Sequence, residues 1–125
     1  MLHLIRGLPG SGKSTFAKTL GCLVLEADMF FVRNSIYTFN GKMIAQAHMW
    51  CLNTTAVAIK AGMDVAVSNT FSTMWELEKY LAIDTCIKVY RCMGKWQSVH
   101  GIPADKLDVM KQRFEDYKGE IIING

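Results

Sequence analysis

This 125-residue sequence has few prolines, only a small excess of positive charge, and no long apolar run. With two prolines, three tryptophans, four tyrosines and six phenylalanines, and without a polar tract, the composition excludes a disordered chain. A net charge of +3 neither requires nor excludes a polyanionic partner, because the placement of charges matters more than their sum. No apolar run approaches the roughly 18 residues that span a bilayer, and the first residues lack the pattern of a signal peptide. We therefore expect one soluble domain over 1–125, located in the cytoplasm.

Cysteine pairs with the spacing of metal ligands are also missing. The four cysteines, at positions 22, 51, 86 and 92, form no C-x-x-C pair, so a zinc site is not expected. Each of them lies among apolar residues, as buried and reduced thiols do in cytosolic proteins. The sequence thus predicts four buried, free cysteines.

Short apolar stretches alternate along the chain with longer amphipathic ones. The apolar stretches predict strands over 2–6, 22–27, 64–68, 85–92 and 120–124. The amphipathic stretches predict helices over 13–20, 42–61 and 105–118, and Thr73 with Glu76 has the capping-box spacing that begins another helix. Residues 29–41, with their aromatics and Asn-Gly, predict a loop or hairpin. This alternation predicts an α/β fold of three layers, in which helices cover both faces of a mostly parallel sheet of four or five strands.

One motif carries a specific chemical prediction, because residues 7–14 match G-x-x-x-x-G-K-[ST] in full. Glycines let successive backbone N–H groups converge on an anion, and the following helix directs its positive end to the same point. Lys13 is placed to bridge the β- and γ-phosphates, and the Ser14 hydroxyl to ligate Mg²⁺. The expected nucleotide-binding residues are Gly7, Pro9, Gly10, Ser11, Gly12, Lys13, Ser14 and Thr15. We therefore predict that the chain binds a nucleoside triphosphate, with ATP as the co-substrate, together with Mg²⁺.

With this loop placed, the chain resembles the compact P-loop kinases grouped around the kinase domain of polynucleotide 5′-hydroxyl kinases. The motifs that carry the resemblance follow one another along nearly the whole chain: GLPGSGKST at 7–15, EADMFF at 26–31, YTFN at 37–40, AHMWC at 47–51, VSNT at 67–70, WE at 75–76 and HGIP at 100–103. The resemblance implies a three-layer P-loop NTPase of the minimal kinase type. It also implies ATP-dependent, Mg²⁺-requiring transfer of phosphate to a hydroxyl group, best known at a nucleic-acid 5′-end.

The resemblance also implies roles for residues outside the loop. Asp28 becomes the candidate general base for the attacking hydroxyl, although an aspartate here also suits a turn or a helix cap. Arg33 becomes a candidate contact for an acceptor phosphate. Asn69 and Thr70 would either hold the acceptor or tie up the end of the third strand. Four aromatics would supply a base-stacking surface or pack in the core: Phe30, Phe31, Tyr37 and Phe39.

The chain departs from the family pattern at three places. Ser68 stands where the related kinases usually have an aspartate, and Met29 where many have an acid. The lid segment, about 93–103, contains no arginine, although an arginine near the transferred phosphoryl group is worth about three to five orders of magnitude in rate. Lys95, Arg91 or Lys88 would have to supply that charge, and a lysine cannot form the same bidentate fork.

Two helix residues and one lid residue have less specific interpretations. His48 and Trp50 are expected in the core of the long helix, and His100 as a structural residue before the last helix.

Three functions stay open at this point. The first is a kinase that acts on the 5′-hydroxyl of single-stranded nucleic acid. The second keeps the chemistry and changes the acceptor to a nucleoside or another small metabolite. The third is a degenerate nucleotide-binding protein with little catalysis, which Met29, Ser68 and the arginine-free lid favour.

Overall fold

The computed structural model of the chain describes residues 1–95 and 103–124. Its strands are β1 (Leu2–Gly7), β2 (Leu23–Leu25), β3 (Val32–Arg33), β4 (Ile36–Tyr37), β5 (Val65–Ser68), β6 (Ile87–Cys92) and β7 (Ile121–Ile123). Its helices are α1 (Lys13–Thr19), α2 (Ile44–Lys60), α3 (Met74–Leu81) and α4 (Ala104–Arg113). Single 3₁₀ turns occupy Ala27–Phe31 and Gly41–Met43.

Five strands form one sheet in the order β2-β5-β1-β6-β7. Every neighbouring pair in this sheet is parallel, which confirms the predicted α/β fold with its mostly parallel sheet. Because all of these strands run the same way, their carboxyl ends lie at one edge, where open α/β sheets bind ligands. The position of that edge decides where the chemistry of this chain lies.

Both faces of the sheet are covered, as the continuous apolar strands predicted. Leu4 of β1 packs into a large cluster with Cys51 of α2 and Leu77 of α3. The next residue, Ile5, packs on the opposite face in a smaller cluster with Ala17 of α1. Side chains that alternate between two buried faces account for the three layers.

Of two helix predictions, the structure confirms one and shortens the other. The capping box is confirmed, because the Thr73 side chain accepts from the backbone N–H of Glu76 and the Glu76 carboxylate accepts from that of Thr73. The predicted helix over 105–118 was too long, since α4 ends at Arg113. Phe114 turns to an extended backbone (φ −72°, ψ 115°), and its ring lies close to two guanidinium groups of the sheet, described below.

The hairpin predicted within 29–41 forms, but its turn lies earlier than Asn-Gly. β3 and β4 pair antiparallel around Asn34 and Ser35, whose φ angles are +52° and +65°. Left-handed conformations at both central residues match the twist of a two-residue hairpin. Asn40 instead accepts from the backbone N–H of Lys42 and caps the following 3₁₀ turn.

The expectation of four buried cysteines holds in full for only two of them. Cys51 and Cys92 are buried and Cys22 is half-buried, but Cys86 is exposed. It lies just before β6, in the bend that follows α3. All four thiols are free.

A fully buried arginine joins the C-terminal segment to the sheet. Arg6 of β1 is 0% exposed. Its Nε and Nη2 donate to the carbonyl of Phe71 at 3.1 and 2.7 Å, and Nη2 also donates to the carbonyl of Glu115 at 2.6 Å. Its Nη1 lies 3.3 Å from the carboxylate of Glu120. Phe71 has a φ of +48°, which a bulky residue rarely adopts, and Arg6 holds that strained turn in place.

The Phe114 ring lies within reach of two cations. The guanidinium of Arg6 is 4.5 Å from the ring centroid and that of Arg91 is 4.4 Å from it. Arg91 also forms an ion pair with Asp116, whose side chain is 89% exposed. These contacts explain why the backbone leaves the helix at Phe114.

Candidate active site

A cavity of about 960 Å³ opens at the carboxyl edge of the sheet. This volume lies in the range of small-molecule sites. The phosphate loop with the start of α1 forms one side, the 3₁₀ turn after β2 and the end of β5 form another, and the hairpin region with α2 closes the rim. The cavity therefore gathers residues from the loop and from both neighbouring strand ends.

The loop is shaped by two glycines at its ends. A Cβ atom at Gly7 would lie 2.8 Å from the carbonyl oxygen of Cys92, so only glycine permits this close approach to β6. Gly12, immediately before α1, has a φ of +91°, which favours glycine. The first backbone N–H groups of α1 have no partner within the helix, and they lie at the cavity.

Lys13 lies at the cavity and holds the loop closed. Its Nζ donates to the carbonyl oxygen of Leu8 at 3.0 Å. Burial lowers the pKa of Lys13 below its usual value, because the charged amine has lost water without gaining a neighbouring anion of equal strength. A polyphosphate at this position would restore that charge stabilisation.

Ser14 contacts an acid that lies outside the phosphate-loop motif. Its hydroxyl donates to a carboxylate oxygen of Glu26, which follows β2. Two more hydroxyls line the cavity: those of Ser11 and Ser68 are buried and have no partner among the described residues. In the described part of the chain, no three His, Cys, Asp or Glu side chains converge. Hydroxyls with a carboxylate fit Mg²⁺, which keeps several waters and takes one or two carboxylates besides substrate phosphates.

Asp28 lines the same cavity from the 3₁₀ turn after β2. That turn is held by Asn69, whose side-chain oxygen accepts from the backbone N–H of Ala27 at 2.9 Å. The amide nitrogen of Asn69 lies 3.7 Å from Sγ of Cys51 in α2. Asn69 is 8% exposed, and of its two sequence interpretations these contacts favour the tie at the strand end. Thr70 also lines the cavity, and its carbonyl accepts from the N–H of Gly7.

An aromatic wall, formed by Phe31, Tyr37 and Phe39, lies on the Asp28 side of the cavity. The Phe31 ring centroid lies 6.3 Å from that of Tyr37 and 5.2 Å from that of Phe39. Phe31 is buried, whereas Tyr37 and Phe39 are 42% and 55% exposed. Phe30 points elsewhere, toward the core and Trp50. Two of the four rings, Tyr37 and Phe39, are thus exposed to solvent, and the other two pack against the core.

His48 corrects an expectation from the sequence. It was expected in the core with Trp50, but it is exposed and lines the cavity. Trp50 does pack against the core, half-buried. The two positions lie on different faces of α2, and only the first faces the carboxyl edge.

The remaining predicted cations are not brought to the cavity. Arg33 is exposed on the hairpin, and Lys95 is exposed at the end of the first described range. Arg91 is engaged with Asp116 and Phe114. Lys13 is the one lysine or arginine that lines the cavity within 1–95 and 103–124. His100 and most of the expected lid, 96–102, lie outside the described residues.

The match with a known protein family covers the part of the chain that forms most of the site. A family model described as "AAA domain" matches residues 2–89, which contain the loop, Asp28, Asn69, strands β1, β2 and β5, and the first part of β6. The chain belongs to this family. Its fold is that of a P-loop kinase-like domain, and nucleotide binding is the property common to such sites.

Individual known proteins are similar to the chain at low sequence identity. NEDD4-binding protein 2 of Homo sapiens is 29% identical over 142 residues, a match that covers 98% of the chain and 8% of that protein. The chain therefore spans about 8% of the length of this curated relative. A sugar kinase structure from Janibacter sp. HTCC2649 aligns with a TM-score of 0.69 at 16% identity, over 99% of the chain and 83% of the kinase. A structure of the Pnkp1/Rnl/Hen1 complex aligns with a TM-score of 0.58 at 19% identity, over 86% of the chain and 38% of the matched chain.

Among the residues that the structure describes, no helix is long and apolar enough to cross a membrane.

Sequence reasoning missed Glu26 and the exposure of His48. Glu26 stands two residues before Asp28, and its position directly after an apolar strand was the available signal. Its contact with Ser14 depends on the strand order, in which only β5 separates β2 from β1 and the loop that follows β1. A local sequence pattern cannot predict that order.

Proposed function

We propose that the chain is an ATP-dependent phosphotransferase that moves the γ-phosphate to a hydroxyl group, with the 5′-hydroxyl of a polynucleotide as acceptor. One observation carries the proposal: a single cavity contains Lys13 of the phosphate loop, Asp28 and an aromatic wall open to solvent. A phosphate donor site, a carboxylate and a surface for a flat acceptor are the parts that such a transfer needs.

The chemistry of the residues supports a direct transfer. Lys13 would exchange its contact with the Leu8 carbonyl for the β- and γ-phosphates, and the loop N–H groups would hold their oxygens. The acceptor oxygen forms a bond to the γ-phosphorus while the bond to the β–γ bridging oxygen breaks, and ADP leaves. Asp28 accepts the proton of the attacking hydroxyl. Mg²⁺, held by Ser14 with help from a nearby carboxylate, would neutralise charge on the phosphates.

The aromatic wall supports a nucleic-acid acceptor. Exposed Tyr37 and Phe39 beside buried Phe31 provide ring faces on which a terminal base can stack. Arg33, on the hairpin that carries Tyr37, could then contact the next phosphate of the strand. The free cysteines agree with a reducing, cytoplasmic location, which we include in the proposal.

A second candidate function has a specific observation in its favour. No arginine lines the cavity within the described ranges, and a kinase without one would transfer phosphate slowly. This favours a protein that binds nucleotide with little catalysis. A small hydroxyl metabolite is the alternative acceptor, in line with the fold shared with a sugar kinase.

The test uses γ-labelled ATP with a 5′-hydroxyl oligonucleotide, a nucleoside and a neutral sugar in parallel. We expect label on the oligonucleotide, loss of transfer in Lys13→Ala and Asp28→Asn, and no loss in Glu78→Gln, an exposed acid on α3. Transfer to the small acceptors alone would replace the proposed acceptor. ATP binding without transfer in any mixture would establish the second candidate function instead.

A further inference from the structure

The acid next to the phosphate loop directly follows β2 and lies beside an uncharged residue of β5. The two strands are parallel neighbours, and their last register pair is Leu25 with Val67. The residues that follow are Glu26, still extended with φ −137° and ψ 143°, and Ser68. Residues in register on parallel strands point the same way and lie about 4.8 Å apart. Glu26 and Ser68 therefore occupy equivalent positions on adjacent strands.

Their side chains differ in what they reach. The carboxylate of Glu26 accepts the hydrogen of the Ser14 hydroxyl, so it lies at the start of α1. The hydroxyl of Ser68 is buried, with the residue 3% exposed, and it has no partner within the described part of the chain although it lines the cavity. A buried hydroxyl without a partner is costly unless something polar, such as water, occupies the space in front of it.

We propose that Glu26 supplies the carboxylate ligand of the divalent cation that accompanies the nucleotide, and that Ser68 holds a water of the same cation. The inference rests on the proposed nucleotide binding. Glu26 and Ser14 already place two oxygens side by side, as neighbouring ligands of one hard cation require. Ser68 carries no charge and cannot neutralise the cation itself, so β2 provides the acid that β5 lacks.

This arrangement leaves Asp28 for the acceptor. Glu26 and Asp28 both line the cavity, but the contact with the loop serine belongs to Glu26. One carboxylate then serves the cation and the other serves the attacking hydroxyl. The equivalence of positions 26 and 68 has a measurable consequence: a carboxylate at either position should bind the cation.

The experiment measures ADP affinity by calorimetry in Mg²⁺ and in EDTA, and Mn²⁺ binding to the ADP complex by electron paramagnetic resonance. In the wild-type chain we expect Mg²⁺ to tighten ADP binding. Glu26→Gln should lower the cation affinity of the complex about tenfold or more, with ADP affinity in EDTA unchanged or improved. The matched control Glu78→Gln should behave as wild type. The double variant Glu26→Gln/Ser68→Asp should recover cation binding.

The outcomes separate this inference from the proposed function. If the wild-type chain binds ADP under neither condition, the proposed function fails. If it binds ADP and Glu26→Gln keeps the full effect of the cation, the inference is overturned while nucleotide binding stands. Loss of the cation effect in Asp28→Asn but not in Glu26→Gln would also overturn it, as would a double variant that does not recover. Unchanged ADP affinity in EDTA shows that each variant is folded.

Discussion

Replacing Arg6 by methionine should destabilise the fold far more than the same change at Arg91. Both guanidinium groups lie near the Phe114 ring and near the carboxylate of Glu120. They differ in burial, since the side chain of Arg6 is 0% exposed and that of Arg91 is 20% exposed. Methionine fills most of the arginine stem, so the comparison isolates the guanidinium from the packing.

The expected loss of unfolding free energy follows from the groups that lose their hydrogen-bond partners. Arg6→Met removes the donors to the Phe71 and Glu115 carbonyls and the closer of the two guanidinium partners of Glu120. Breaking a buried ion pair on one side costs about 3–5 kcal/mol. Glu120 keeps the Tyr117 N–H at 2.7 Å and Arg91 at 3.8 Å, so we expect the low end, about 3 kcal/mol. For Arg91→Met, whose partner Asp116 is exposed, we expect about 1 kcal/mol or less.

Urea denaturation followed by circular dichroism measures both free energies of unfolding. A loss of about 3 kcal/mol corresponds to a fall in Tm of about 11 °C for a chain of this length. Hydrogen exchange should show early opening of β7 in Arg6→Met, because Arg6 holds the segment that precedes this strand. Equal losses in the two variants, or a loss below about 1 kcal/mol in Arg6→Met, would refute the argument that burial decides the contribution.

Three further predictions concern the hairpin, the turn of Asp28 and the pH dependence of stability. Ser35→Gly should raise the free energy of unfolding by about 0.5–1 kcal/mol, because glycine removes the strain of a left-handed residue; a loss of stability in urea denaturation would contradict this. Asn69→Ala should lower the free energy of unfolding by about 1–3 kcal/mol, because the buried N–H of Ala27 loses its acceptor. The same variant should reduce phosphate transfer more than ADP binding, and an equal loss of both would argue against a positioning role for Asn69. Burial, aided by the charge of Lys88, lowers the pKa of His3, so the fold disfavours the protonated ring and stability should decline as the pH falls through about 6.5. In His3→Gln, the free energy of unfolding should fall less between pH 7 and pH 5 than in the wild-type chain. An unchanged pH profile would show that other groups cause the decline.

The predictions from the sequence succeeded where local chemistry decides the structure. The spacing of Thr73 and Glu76 predicted a capping box because both hydrogen bonds form within one turn. The apolar runs predicted the strands because a parallel sheet buries both faces of each strand. The end of α4 was missed because Phe114 leaves the helix for partners on β1 and β6, far away along the chain.

Burial was the second property that the sequence could not assign. Arg6 lies in an apolar run and is fully buried, while Cys86, next to Ile87 of β6, is exposed. Periodicity says which residues share a face, but the order of the strands decides what covers that face. The same limit applies to His48, whose helix face meets the cavity instead of the core.

By itself, the sequence determined the α/β fold, the phosphate loop with Lys13 and Ser14, and the position of Asp28 after the second strand. These features follow from local patterns in the chain: the alternation of apolar and amphipathic stretches, and the spacing of the loop motif. Only the tertiary structure decided that Glu26 contacts Ser14, that Asn69 holds the turn of Asp28, and that Arg91 is engaged away from the cavity. The physical reason is strand order: β5 lies between β2 and β1, and this juxtaposition of distant segments brings an acid of one strand to the loop that follows another.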